Sequence, residues 1–143
     1  MIATTIEQSK HLLDLGLDSK TADMCWEMEK GNWLLNVGRK SAQVNRGFAI
    51  PAWSLSTLLE VIPAMIVYPT WVDKRPTDVW FNLDKDYNSE TKKQFYVCYY
   101  KSLDTHQFAK MTEPSHSSPV DAAYEMVCWL FEQGLIEKGG QNE

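Results

Sequence analysis

Apolar residues recur at helical spacing over the first thirty residues of the chain. The first stripe follows a capping box at residues 4–7 and consists of Ile6, Leu13 and Leu17. Gly16 offers this helix a left-handed end. A second helical spacing starts at Asp18 or Ser19 and stops at Gly31. The pattern therefore predicts an N-terminal helical hairpin.

Two further helices are predicted from their caps and apolar stripes. The middle helix begins at Ser54 or Ser56, carries leucines at i, i+3 and i+4, and ends at Pro63. The C-terminal helix begins with Ser118 as N-cap and Pro119 at its first position. Its apolar face is continuous, so we expect most of this helix to be buried against a sheet.

After residue 77 the apolar period changes to two, which is typical of strands. The two alternating runs lie at residues 79–83 and 95–100, and a polar loop at residues 84–91 lies between them. They predict an antiparallel hairpin. Further strands are predicted at 107–111 and at 65–71, where Pro69 favours a sheet edge. Residues 33–37 fit either a strand or a helix end.

These elements predict an α+β fold. It consists of an N-terminal helical hairpin, a middle helix, and a small antiparallel sheet of two to four strands, packed by a long C-terminal helix. A chain of 143 residues matches a single domain. We expect residues 1–136 to form that domain and residues 137–143 to be a frayed C-terminal tail.

Composition and charge are those of a folded acidic protein. The net charge is −5, which gives no long-range attraction to phosphate backbones or anionic lipid. The longest apolar stretch, residues 61–68, is too short to span a bilayer, and from the first residues we expect no signal peptide. Three widely spaced cysteines indicate reduced thiols. We therefore expect a cytoplasmic protein that does not bind a membrane.

Aromatic residues make up 12% of the chain, which is high for a small domain. If residues 79, 81 and 83 pack inward, Trp80 points to the opposite face of the sheet, and one face of the next strand carries two tyrosines. The candidate interaction residues are Trp71, Trp80, Tyr96 and Tyr100. The alternative is a sheet covered on both faces, by other aromatic residues or by another subunit.

A second candidate surface is basic. Arg39, Lys40 and Arg46 lie in one polar segment and are candidate phosphate contacts beside nearby aromatic residues. Such a patch would suit a single-stranded nucleic acid. The acidic balance of the whole chain argues against this hypothesis.

Residue sets typical of catalysis or cofactor binding are missing from the sequence. Glycine-rich phosphate loops and Cys-x-x-Cys pairs do not occur, and we expect no metal and no cofactor. Cys98 could act as a nucleophile with His106 as its base and Asp104 orienting the ring. Because Cys98 lies within a strand of aromatic residues, a buried thiol is the preferred interpretation.

Three segments carry a family resemblance. The segments are Ile6–Leu17, Ile50–Glu60 and Asp121–Leu130, with an aromatic hairpin before the last. In this order they resemble small uncharacterised proteins encoded in prophages and mobile elements of Bacteroides-type gut bacteria. The matching positions are helix caps and core stripes. The resemblance implies a phage or mobile-element setting and supplies no activity.

The sequence thus favours a non-enzymatic protein-interaction module, an accessory protein of a phage or mobile element. It would use the aromatic sheet face or the helical hairpin to bind a protein partner or a second copy of itself. Two alternatives stay open: a nucleic-acid-associated accessory protein that uses the basic patch, and a small thiol-dependent enzyme.

Overall fold

The computed structural model describes residues 2–37 and 49–139. Within these ranges the elements in chain order are α1 (Ile6–Leu15), β1 (Met24–Glu29), β2 (Asn32–Val37), β3 (Ala49–Ala52), α2 (Leu55–Val61), β4 (Met65–Pro69), β5 (Pro76–Asn88), β6 (Lys93–Lys101), β7 (Phe108–Met111) and α3 (Pro119–Glu132). The strands form a three-stranded sheet in the order β2-β1-β3 and a four-stranded sheet in the order β4-β5-β6-β7. All neighbouring strands are antiparallel.

The predicted helical hairpin is wrong. After α1 the chain makes one 3-10 turn, Ser19–Thr21, and then enters β1 instead of a second helix. In β1 the buried Cys25 and Glu27 alternate with Trp26, which is the two-residue period of a strand. Gly31 does not end a helix but forms the reversal between β1 and β2.

The predicted arrangement of one small sheet under a long C-terminal helix is also wrong, because the strands build two sheets. Helix α3 has 14 residues, close to the mean length in globular proteins. Its Trp129 contacts Tyr68 of β4 and Tyr100 of β6, with ring centroids 5.0 and 6.4 Å apart, and lies under the ammonium group of Lys110 of β7. The four-stranded sheet therefore curls around α3.

The core lies between the three helices and the inner face of the four-stranded sheet. Its largest fully buried side chains include Trp53, Leu58, Tyr100, Met126 and Leu130. Helix α2 begins at the N-cap Ser54 and contacts α3. Burial of apolar surface throughout this core is the dominant favourable contribution to folding.

A buried polar network holds the N-terminal segment in place. The backbone N–H of Thr4 donates to the carbonyl of Trp53 over 2.9 Å, and the backbone N–H of Trp53 donates to the Thr4 hydroxyl over 3.1 Å. The Thr4 and Ser9 hydroxyls share a hydrogen bond of 2.8 Å. Helix α1 is further tied to α3, since the Gln8 side-chain amide donates to the carboxylate of Asp121 over 2.8 Å.

The described part of the predicted tail contacts the turn after α1. The backbone N–H of Gly139 donates to the carbonyl of Gly16 over 2.7 Å. Gly16 itself has a φ of 110° and ends α1, as the sequence predicts.

Candidate interaction surface

One row of side chains crosses all four strands of the larger sheet on the face turned away from α3. Met65 of β4 pairs with Trp80 of β5, Trp80 pairs with Lys101 of β6, and Lys101 pairs with Phe108 of β7. Directly paired residues of neighbouring strands lie on the same face of a sheet, so these four lie on one side. We call this side the outer face.

Two exposed tryptophans belong to this region. Trp80 is 40% exposed and Trp71, which follows β4, is 51% exposed. On β4, Met65 is 38% exposed and Val67 56%. Within residues 2–37 and 49–139, the β4 and β5 part of the row is therefore open to solvent.

An aromatic cluster fixes one end of the outer face. The Phe108 ring lies 5.7 Å from the Trp71 ring and 5.3 Å from the Tyr99 ring, measured between centroids. The Trp71 backbone N–H also donates to the Phe108 carbonyl over 2.8 Å. The segment after β4 is thereby joined to β7, the opposite edge of the same sheet. The exposed Trp71 is thus held by backbone and ring contacts.

Three polar residues of the outer face contact one another. The Tyr99 hydroxyl donates to the Asp84 carboxylate over 2.6 Å, and the Lys101 ammonium lies 5.7 Å from the Tyr99 ring centroid. The hydrogen bond to Asp84 and, secondarily, burial raise the pKa of Tyr99 to about 12. Tyr99 is therefore a neutral donor at physiological pH, and the face combines fixed polar groups with exposed apolar ones.

The structure separates the four predicted interaction residues. Trp71 and Trp80 lie on or beside the outer face, whereas Tyr96 and Tyr100 point to the inner face. Tyr100 is fully buried, donates to the carbonyl of Pro63 over 2.6 Å, and has a raised pKa caused mainly by burial. Tyr96 is half-buried against the core.

The predicted phosphate contacts Arg39, Lys40 and Arg46 lie outside the described residues.

The candidate thiol is enclosed by the core. Cys98 is fully buried on the inner face of β6, and burial, with a smaller contribution from Glu125, raises its pKa to about 12. His106 is exposed in the turn between β6 and β7. Since the thiolate is the reactive form, Cys98 has neither the charge state nor the access that a nucleophile needs.

The side chain of Glu125 has a structural role beside this thiol. Its carboxylate accepts the backbone N–H of Glu113 at 3.1 and 3.2 Å and a hydrogen bond of 2.7 Å from Nε2 of His116. These bonds hold the loop between β7 and α3 on the helix. The Nε2 atom of His116 is therefore already bonded to the Glu125 carboxylate.

A cavity of about 480 Å³ lies at the end of the β5–β6 hairpin. Its walls include Asn88, Thr91, Lys93, Ser115 and Ser117. These residues supply hydroxyls, an amide and one ammonium group. None of them forms a contacting pair of a nucleophile and a base. Nor do three potential metal ligands cluster anywhere in the described ranges.

A second exposed apolar strand was not singled out by the sequence. In β2, Trp33 is 39% exposed, Leu34 45% and Val37 86%, and Met28 of β1 is 49% exposed. The signal that indicates this strand is the Lys30-Gly31 pair between two runs of apolar residues, which favours a two-residue hairpin.

Comparisons with protein families, with curated proteins and with solved structures find no match for this chain. Across residues 2–37 and 49–139, none of the helices has the length and apolar character needed to cross a membrane.

Proposed function

We propose that this protein is a non-enzymatic interaction module and that the outer face is its protein-binding surface. The observation that carries the proposal is the exposure of Trp80 and Trp71, at 40% and 51%, on and beside the outer face. The setting in a phage or mobile element is part of the proposal and derives from the family resemblance.

The composition of the outer face supports protein binding. Tryptophan, tyrosine and methionine are enriched at the centres of protein interfaces, and tryptophan is among the residues whose truncation costs most affinity. Trp80 has Met65 on one side and Lys101 on the other, so an apolar centre has a cationic neighbour. Asp84 and Asp78 add acidic groups to the same strand face. This mixture matches the apolar core and polar rim of an interface.

The anchoring of Trp71 also favours binding. A side chain already held in one position loses less conformational entropy when a partner covers it. Trp71 has that property because its backbone bonds to Phe108 and its ring contacts the Phe108 ring. We therefore expect Trp71 and Trp80 to be the residues on which affinity depends most.

Partner enrichment from a lysate of the source cells tests the proposal, with the wild-type chain and two variants as bait. The first variant, Trp71→Ala with Trp80→Ala, removes both anchors. The second, Leu103→Ala, truncates a 58% exposed apolar residue in the turn after β6 and is the matched control. We expect the same partner to be retained by wild type and control and lost by the double variant.

The measurement has a decisive negative outcome. A partner retained equally by all three baits would place the binding surface elsewhere and contradict the proposal. A fluorescence titration with single-stranded oligonucleotides at low salt tests the competing class, because saturable, salt-sensitive binding there would favour the nucleic-acid hypothesis. Circular dichroism of the double variant verifies that it is folded.

A further inference from the structure

We propose that two copies of this chain pair through the outer edge of β2 and join their three-stranded sheets into one six-stranded sheet. This surface is separate from the outer face of the four-stranded sheet. The inference goes beyond the proposed function and does not depend on it.

The first observation is that β2 lacks the protection found on the other sheet edges of the described chain. Natural edge strands are usually short or carry proline or charge, which discourages pairing with another chain. Strand β3 contains Pro51, β4 ends in Pro69, and the four-residue β7 contains Lys110. Strand β2 has the sequence Asn-Trp-Leu-Leu-Asn-Val, which contains neither a proline nor a charged residue.

The second observation concerns the backbone groups of β2. Glu29 and Asn32 flank a two-residue reversal in which Lys30 and Gly31 have φ angles of 49° and 84°. In such a hairpin the flanking residues exchange backbone hydrogen bonds, and bonded and non-bonded pairs then alternate along the strands. The residues of β2 whose N–H and C=O groups point away from β1 are therefore Trp33, Leu35 and Val37.

The third observation is that these residues are self-complementary. An antiparallel pair of β2 strands centred on Leu35 places Leu35 opposite Leu35 of the second copy and Trp33 opposite Val37 of the second copy. All three outward-facing residues then form backbone hydrogen bonds, and their side chains make one apolar row with an aromatic residue beside a β-branched one. A twofold axis of this kind closes the assembly at two copies.

Strand β2 itself brings no charge to this pairing. The chain carries a net charge of −5, which disfavours indiscriminate self-association, but no residue of β2 is charged. The same register places Leu34 beside Asn36 of the second copy on the other side of the sheet. Like charges are thus never opposed within the paired strands.

The size of the contact sets the strength to be expected. One pair of six-residue strands gives an interface at the small end, below about 1,200 Å² of total buried surface. Such interfaces are typical of weak, reversible complexes. We therefore expect a dissociation constant in the micromolar range, on the order of 10 to 100 µM.

Sedimentation velocity over a range of about 5 to 500 µM tests the proposal on the full chain. We expect a monomer–dimer equilibrium that Val37→Glu weakens by about tenfold or more, because the carboxylate must lose water beside Trp33 of the second copy. Val37 is 86% exposed, so the variant should fold. Val67→Glu places the same charge on the outer face at a 56% exposed position and should leave the equilibrium unchanged.

A cross-link gives an independent measurement of the register. Leu35→Cys places two thiols opposite each other across the twofold axis, at a separation that a disulfide can span, whereas Asn32→Cys does not. Under mild oxidation we expect a covalent dimer only from Leu35→Cys, since the three native cysteines are buried. A chain that stays monomeric at 500 µM, or an equilibrium weakened by Val67→Glu and not by Val37→Glu, would overturn the proposal.

Discussion

The hydroxyl of Tyr99 donates a 2.6 Å hydrogen bond to the carboxylate of Asp84 across β5 and β6 on the outer face. The Tyr99 side chain is largely buried although it lies on the face turned away from the core. We expect Tyr99→Phe to lower the free energy of unfolding by about 1 kcal/mol, the value of one hydrogen bond to a charged but partly solvated acceptor. Urea denaturation at pH 7 measures this change. A variant as stable as wild type would show that the bond contributes nothing.

The same bond makes stability depend on alkaline pH. The pKa of Tyr99 is raised to about 12 in the folded chain, mainly by the hydrogen bond to Asp84 and secondarily by burial, while an unfolded tyrosine ionises near 10. Above pH 10 the unfolded state therefore releases a proton that the folded state keeps, and stability falls as pH rises towards 12. The deficit of Tyr99→Phe relative to wild type should shrink between pH 10 and 11.5. A constant difference over that interval would contradict the assignment.

Asp23 is expected to be a major stabilising residue at the start of α2. Its carboxylate accepts the backbone N–H and the hydroxyl of Ser54 at 2.9 and 2.6 Å and the hydroxyl of Thr57 at 3.1 Å. Asp23→Ala should lower the free energy of unfolding by about 2 to 3 kcal/mol, because three donor groups lose a charged acceptor. Asp73→Ala, which removes a carboxylate bonded to the exposed Arg75, is the control and should cost under about 0.5 kcal/mol.

Acid titration gives a second test of Asp23. Burial acts to raise its pKa, but the hydrogen bonds from Ser54 and Thr57 outweigh that effect and lower it. A lowered pKa stabilises the fold above the unfolded value near 3.9, and the contribution is lost as pH falls through the folded value. The stabilities of wild type and Asp23→Ala should therefore draw together as the pH falls below the unfolded pKa near 3.9. Parallel curves down to pH 2 would rule this out.

The β1–β2 reversal predicts two substitutions of opposite sign. Lys30 has a φ of 49°, which asparagine adopts more readily than lysine, so Lys30→Asn should raise the free energy of unfolding by about 0.5 kcal/mol. Gly31 has a φ of 84°, and a Cβ atom there would meet nothing within 4 Å. Gly31→Ala should therefore cost about 1 to 2 kcal/mol through backbone conformation alone. Equal effects of both variants in urea denaturation would contradict this turn.

Thiol labelling tests the enzyme alternative directly. All three cysteines are buried, and burial raises the pKa of Cys98 to about 12 and that of Cys128 to about 11. With Ellman's reagent at pH 7.5 we expect three thiols to react at once in urea and none to react rapidly in the native protein. One fast native thiol would revive the nucleophile hypothesis, and Cys98→Ala would identify it.

Local signals in the sequence located individual elements correctly where a cap or a proline fixes the backbone. Gly16 ends α1, Ser54 begins α2, and Pro69 lies in the edge strand β4, all as predicted. The capping box of α1 is displaced by one residue, since Thr5 and Gln8 form it instead of Thr4 and Glu7. The Thr4 hydroxyl instead accepts a hydrogen bond from the backbone N–H of Trp53, a contact that no local sequence pattern reveals.

The predicted helical hairpin failed for a physical reason that lies outside the local sequence. Residues 22–29 fit a helical stripe and a two-residue alternation equally well. Pairing with both β2 and β3 selects the strand, and β3 begins twenty residues after β1 ends. The candidate surface could likewise be predicted only in part. The alternation of apolar and polar residues in the sequence correctly placed Trp80 on the face opposite the core. That Tyr100 is buried depends on the register between β5 and β6, which the sequence does not reveal.

The hydrogen bond between Gln8 and Asp121 has a consequence for the order of folding during synthesis. The two residues are 113 positions apart, and at typical rates of translation the ribosome needs roughly 6 to 23 s to reach the second after the first. Helix α1 can form its own turns early, yet its contact with α3 must wait for the end of the chain. A nascent chain therefore carries α1 without its C-terminal partner through most of its production, and the α3-facing side of this helix is covered only after synthesis of the chain is nearly finished.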